Sequence, residues 1–317
     1  MTILNVSNAA LTQKAPRPRI HILDAARGIA LIAMAIYHFT WDLDHFGYVD
    51  PGLSTRGGFA IFAHAIAASF LFIAGYSLYM AHGRQWRMRA FAKRLAILVV
   101  AGAAITVVSI ITTPNAIIYF GILQAIAVSS IIGLAFVRLP APVTLVAGIA
   151  AFALPFFIRP EFFDPRYLAW ITMPAHPPIS NDYVPLLPWI GPFLIGIAAS
   201  RLTLPWLKTA SLWPKRENGF TFLGRHSLIF YLLHQPVLFG LVFLATLFVP
   251  PDLSPAYLSS CQTSCEASDS AAFCTSYCSC TLDRLKEAKL FTPLMHDETT
   301  DGDAIRLNQI AMMCSVN

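Results

Sequence analysis

Charge is the scarcest thing in this sequence. Only 12% of its 317 residues are Asp, Glu, Lys or Arg, against about 25% in an average soluble domain. That deficit excludes an ordinary water-facing surface, a disordered chain and a nucleic-acid-binding protein. Polar alternation along the apolar stretches is also missing, which excludes an outer-membrane barrel. Cysteine is absent from the first 260 residues. No cleavable signal peptide is visible, because the first apolar run starts late and carries Asp24 and Arg27 at its mouth.

What is present is 56% hydrophobic residues, gathered in long continuous runs. The expected fold class is all-α, a polytopic membrane helix bundle of about seven transmembrane helices. The spans are read at about 22–41, 58–80, 92–113, 116–137, 142–158, 184–202 and 225–249, each near the ~20 residues that cross a bilayer. Three parts follow: a cytoplasmic N-terminal segment (1–21), a transmembrane domain (22–249) and a C-terminal tail (250–317).

The charges are sorted. Residues 1–258 hold 18 basic and 9 acidic side chains, net +9, and residues 259–317 hold 4 and 8, net −4. With the N-terminus inside, 15 of the 18 basic residues of the body fall on the cytoplasmic side, and only Arg56, Arg159 and Arg166 fall outside. Seven spans then place the acidic tail outside, in the periplasm if the membrane is a bacterial inner membrane.

The tail holds every cysteine: Cys261, Cys265, Cys274, Cys278, Cys280 and Cys314. An extracytoplasmic compartment permits disulfides. Spacing of i, i+4 puts two thiols on one helix face, so two helices joined near Ser268-Asp269-Ser270 can be stapled as a hairpin. The simplest pairing is 261 with 278 and 265 with 274, leaving 280 with 314. Six cysteines allow 15 connectivities, and a metal site is the rival reading. No metal is expected.

Ionisable groups inside a span are costly and therefore conspicuous. The first span carries Asp24, Arg27, His38 and Asp42. At about 100° per residue all four share one helix face, with Arg27 and His38 roughly 16 Å apart along the axis. His38 and Asp42 are one turn apart, so the carboxylate is expected to orient the imidazole as a general base. Helix capping by Asp24 and Arg27, and a satisfied core histidine, are the plainer alternatives. His64 in span two is placed to approach His38. His234-Gln235-Pro236 lies mid-span, where the proline frees a carbonyl one turn back that the His or Gln side chain is placed to satisfy. Gln124 with Ser129 and Ser130 reads as interhelical hydrogen bonding, and Gly75-Tyr76-Ser77 as a helix contact. The internal cluster Arg84, Arg87, Arg89, Lys93 and Arg94 is a candidate holder of donor phosphates, or simply the positive-inside signal. The loop from Arg159 to Tyr183, with Phe162, Phe163, Tyr167, Trp170 and His176, suits either an aromatic interface belt or sugar stacking.

Several strings resemble one family in the same order: Asp24-Ala25-Ala26-Arg27-Gly28-Ile29-Ala30 followed by Met34, Tyr37-His38-Phe39 and Asp42-Leu43; Phe72-Ile73-Ala74-Gly75; Phe120-Gly121-Ile122-Leu123; Leu187-Pro188-Trp189-Ile190-Gly191; and Tyr231-Leu232-Leu233-His234-Gln235-Pro236. Together they resemble the heparan-α-glucosaminide N-acetyltransferase catalytic-domain family of bacterial membrane proteins, across about 20–249. Gln124 stands where members commonly have His. The wider transmembrane acyltransferase superfamily, including the acyltransferase-3 group, is similar in having an Arg and a His with ten residues between them in its first span, as Arg27 and His38 have here. The resemblance implies an acyl transfer in the membrane, from acetyl-CoA or another acyl-CoA entering from the cytoplasm to a glycan or small-molecule acceptor on the far side. It makes His38, Asp42 and Arg27 the catalytic candidates, supported by Asp24, His64, His234 and Gln124. Other partners would be membrane lipid, and no nucleic acid. A proton-coupled transporter or flippase, and a scaffold whose tail recruits a periplasmic partner, are the readings from other classes.

Overall fold

The computed structural model describes residues 21–158, 161–209, 218–295 and 298–315. The expected N-terminal segment falls outside the described residues, apart from its last position. So do Arg159, Lys215 and Arg216, which entered the charge count.

The membrane body comprises α1 (His21–His45), α2 (Gly57–His82), α3 (Met88–Thr112), α4 (Ile122–Phe136), α5 (Ala141–Phe157), the short α6 (Arg166–Ala169), α7 (Leu186–Thr209), the short α8 (Gly219–Arg225) and α9 (Ser227–Phe248). Among the described residues there is no β-strand, only an isolated bridge between Phe120 and Tyr183. The helices α1, α2, α3, α7 and α9 are long and apolar enough to cross a membrane, and α4 and α5 are shorter apolar helices. The fourth run starts later than its composition suggests. Pro114 opens a 3-10 turn over Pro114–Ala116, and α4 begins only after Gly121, in extended backbone.

In lipid, apolar side chains gain little by leaving the solvent, so close packing must hold helices together. The central helix α7 shows how. Phe193 and Ile197 are fully buried and pack with Leu71, Leu78 and Ile126 from α2 and α4. A Cβ on Gly75 would collide with the Phe193 carbonyl, and one on Gly196 with the Phe72 carbonyl. Backbone therefore touches backbone between α2 and α7. The same happens between α1 and α8, where Gly28 meets Phe220 and Gly224 meets Asp24. By contrast, Val100, Val107 and Ile111 of α3, and Leu241, Leu244 and Leu247 of α9, point outward, as lipid-facing residues should.

The tail comprises α10 (Ser254–Cys265), α11 (Ala271–Glu287), α12 (Phe291–Met295) and α13 (Asp301–Ser315). Disulfides join Cys261 to Cys278, Cys265 to Cys274, and Cys280 to Cys314. These are the pairs that the spacing made simplest. Two of them staple α10 to α11, and the third holds α13 to α11. A small core of Leu285, Leu290 and Ile310 sits between them, with Tyr257, Phe291 and Leu307 against it. The tail is rooted on the loop after α1: Tyr48 Oη donates to the Val249 carbonyl at 2.6 Å, and Leu253 packs on Gly47. Asp44 shapes that loop by accepting from the backbone N–H groups of Gly52 (2.9 Å) and Ser54 (3.0 Å).

Candidate functional site

The polar residues of α1 make contacts at its two ends. Near its start, Arg27 Nη1 donates to Asp24 Oδ1 at 2.9 Å, and Nη2 donates to Ser77 Oγ on α2. Ser77 in turn donates to the Ile73 carbonyl at 2.6 Å. Asp24 and Arg27 are thus paired and partly buried at the start of α1, as the plainer alternative expects, and Arg27 also reaches α2.

Of the four arginines proposed for donor phosphates, Arg94 comes within electrostatic range of Arg27 and of His82. The Arg87 backbone N–H donates to His82 Nδ1 at 3.3 Å. Arg84 and Arg89 are exposed beside them. Arg138 lies 4.9 Å over the Trp86 ring. Arg201 donates to the Leu139 carbonyl at 2.7 Å. This end of the bundle is a basic surface that continues inward to Arg27. Ser77, expected at a helix contact, makes one with Arg27 of α1, whereas His82 was not singled out from the sequence. Its signal was a histidine in the last turn of the second apolar helix.

Three to four turns along α1 the second group forms. His38 Nδ1 and His234 Nε2 lie 2.6 Å apart, and the two rings are nearly parallel, with centroids 4.8 Å apart. His234 Nδ1 donates to the Tyr231 carbonyl at 2.8 Å and the Phe230 carbonyl at 3.2 Å. One turn further, Gln235 Nε2 donates to Asp42 Oδ1 at 2.7 Å. Asp42 is fully buried. Beneath the pair lie Leu31, Met34 and Ile66, with Tyr37, Phe230 and Tyr231 around them.

The structure corrects three expectations. Asp42 does not orient His38. Both lie on the face that meets α9, and α9 offers a separate partner to each, His234 to the imidazole and Gln235 to the carboxylate. His64 does not join His38 either. It lies against Trp189 of α7, with ring centroids 5.6 Å apart, because α2 turns that face to α7. The carbonyl freed by Pro236 does not draw the His234 side chain, which bonds the two carbonyls preceding it.

Gln124 is structural. Its Oε1 accepts from the Gly121 N–H at 3.2 Å, and its Nε2 donates to the Gly102 carbonyl (3.1 Å) and to Thr106 Oγ1 (3.2 Å), tying α4 to α3. Asp182 was missed altogether. Its Oδ2 accepts from the Ile122 N–H at 3.0 Å and pins the loop before α7 to the start of α4. The signal was a carboxylate in the apolar approach to a span.

In the loop between α5 and α7, Trp170 turns inward against Phe120, with ring centroids 5.6 Å apart, while Phe162 and Tyr167 are exposed. His176 and Asp164 pair at 2.8 Å. The hydrogen bond from His176 holds the Asp164 carboxyl below the usual carboxylate range. The same bond raises the His176 imidazole above its ordinary value. No group of three or more His, Cys, Asp or Glu side chains able to hold a metal occurs among the described residues.

An all-helical bundle with apolar spanning helices, polar pairs between the first and last of them and a basic surface at one end defines an integral membrane protein with a buried polar site. Residues 19–236 match the family model described as heparan-alpha-glucosaminide N-acetyltransferase, catalytic, and the chain belongs to that family. No curated protein and no solved structure matches it. Membership supports a membrane acyltransferase-like role.

Proposed function

We propose that the protein is an integral membrane acyltransferase that moves an acyl group, acetyl in the first instance, from acyl-CoA to an amine or hydroxyl of a glycan or similar acceptor. The basic end faces the cytoplasm, and the His38 end and the tail face the periplasm of a bacterial inner membrane. The observation that carries the reading is the imidazole pair set roughly 16 Å along α1 from the Arg27 site, inside the stretch that the family model covers.

An acyl-CoA has its phosphates and its thioester at opposite ends of a flexible arm. Arg27, with the exposed Arg84, Arg87, Arg89 and Arg94, attracts the phosphates by charge. The arm then extends inward and presents the thioester toward His38. His38 takes the acceptor proton as general base, and the packed apolar surroundings exclude water that would hydrolyse the thioester. Asp24 balances Arg27 when no donor is bound.

The test uses the full-length protein in lipid nanodiscs with radiolabelled acetyl-CoA and glycan acceptors. Arg27→Ala is expected to raise the donor KM on the order of tenfold, with a smaller change in kcat. His38→Ala is expected to lower kcat on the order of 10²-fold or more. Absence of saturable acetyl-CoA binding by the wild type overturns the reading, and an unchanged kcat in His38→Ala overturns the base.

A further inference from the structure

The hydrogen bonds around His234 impose a direction. His234 Nδ1 faces the carbonyl oxygens of Tyr231 and Phe230. A carbonyl only accepts, so Nδ1 carries the hydrogen. A neutral imidazole has one N–H, so Nε2 of His234 presents a lone pair. That lone pair faces His38 Nδ1 at 2.6 Å. Two lone pairs at this distance repel, so the hydrogen between the rings belongs to His38 Nδ1. The other nitrogen of His38, Nε2, is then the basic one. It makes no hydrogen bond among the described residues.

We propose that His234 is a positioning residue that holds His38 in its Nδ1–H tautomer and so makes Nε2 the proton-accepting atom. The reverse polarity would strip Nδ1 of His234 of its hydrogen and set a lone pair against two carbonyl oxygens. Among the described residues Asp42 makes no hydrogen bond to His38; its partner on α9 is Gln235. The Tyr37 ring, centred 5.7 Å from that of His38, flanks it without a hydrogen bond.

The catalytic consequence rests on the acyltransferase reading. The acceptor N–H or O–H gives its proton to His38 Nε2 as its electron pair forms the bond to the acyl carbon. The C–S bond then breaks with its pair on sulfur, and the proton passes from Nε2 to that sulfur. Throughout, the charged His38 ring donates from Nδ1 to a neutral partner that is itself fixed to the main chain. In serine-protease triads a buried carboxylate holds the histidine. Here a neutral ring does so.

The test is ¹⁵N-histidine NMR on the full-length protein in nanodiscs, with His38→Asn used to identify the His38 resonances. His38 is expected to be protonated at Nδ1 and unprotonated at Nε2 in the wild type. The same is expected in His234→Gln, whose carboxamide oxygen can accept in place of Nε2. In His234→Leu both tautomers should appear, and kcat should fall on the order of 10²-fold with KM within about twofold of wild type. His38 protonated at Nε2 in the wild type overturns the proposal, as do equal effects of Gln and Leu at position 234. The tautomer is read without turnover. A wild type that transfers no acyl group therefore defeats the functional reading and leaves this one standing or falling on its own spectrum.

Discussion

Gln235 donates to Asp42 across the α1–α9 crossing at 2.7 Å, and the far oxygens of both side chains, Oδ2 and Oε1, are buried without a hydrogen-bond partner among the described residues. Removing either member therefore strands the other. Gln235→Leu leaves the buried carboxyl with neither oxygen paired, a cost of about 1–3 kcal/mol. Asp42→Leu strands the amide at similar cost. The double variant should lose less than the sum of the two, with a coupling of about 0.5–3 kcal/mol. Thermal unfolding of the four proteins in one detergent measures this, and strict additivity would show that the bond contributes nothing.

The His176–Asp164 pair in the loop between α5 and α7 gives a pH dependence whose sign is fixed. His176 has its imidazole raised by Asp164, so its contribution is complete below about pH 6.5 and is lost as pH rises through the raised value. Asp164 is lowered by His176, so its contribution is present above about pH 3.9 and is lost as pH falls through the depressed value. The pair is thus charged on both sides between those limits. In Asp164→Asn, the His176 titration followed by NMR should move down toward about 6.5. A midpoint that stays where it was would remove the pairing. Both groups are exposed, so global stability should hardly respond.

The tail depends on its staples more than on its core, which is small. The Cys261–Cys278 bridge spans 17 residues, and on the chain-entropy account a loop of this size is worth about 3 kcal/mol. Non-reducing mass spectrometry should find the three bridges and no free thiol. Reduction should make the tail cleavable by trypsin at Arg284 and Lys286 while the membrane body stays intact. Six free thiols in protein taken from its native membrane would end this account.

Periodicity made the faces of individual helices readable, but not the helix opposite each face. The stripe Asp24, Arg27, His38, Asp42 follows from 3.6 residues per turn alone. The partner of His38 is 196 residues away, and no local rule selects it over Asp42, one turn off. His64 failed for the same reason: its face was right for packing, and the neighbour was α7. Gln124 was legible because an amide inside an apolar helix has few options other than another helix. The cysteine pairs were legible because i, i+4 spacing on two helices leaves a nested hairpin as the least contorted solution. Asp182 was not, because a loop carboxylate gains meaning only when a helix start folds up to it.

The two links between α1 and α9 join residues 196 and 193 positions apart. Ribosomal synthesis delivers α1 to the bilayer long before α9 exists. For that interval His38 and Asp42 lie in the membrane without His234 and Gln235. The last helix of the body completes the polar contacts of the first, so its arrival is the event that closes assembly. A chain stopped before residue 227 would keep α1 through α8 and still present an unmatched carboxyl, the kind of defect that membrane quality control reads as unfinished.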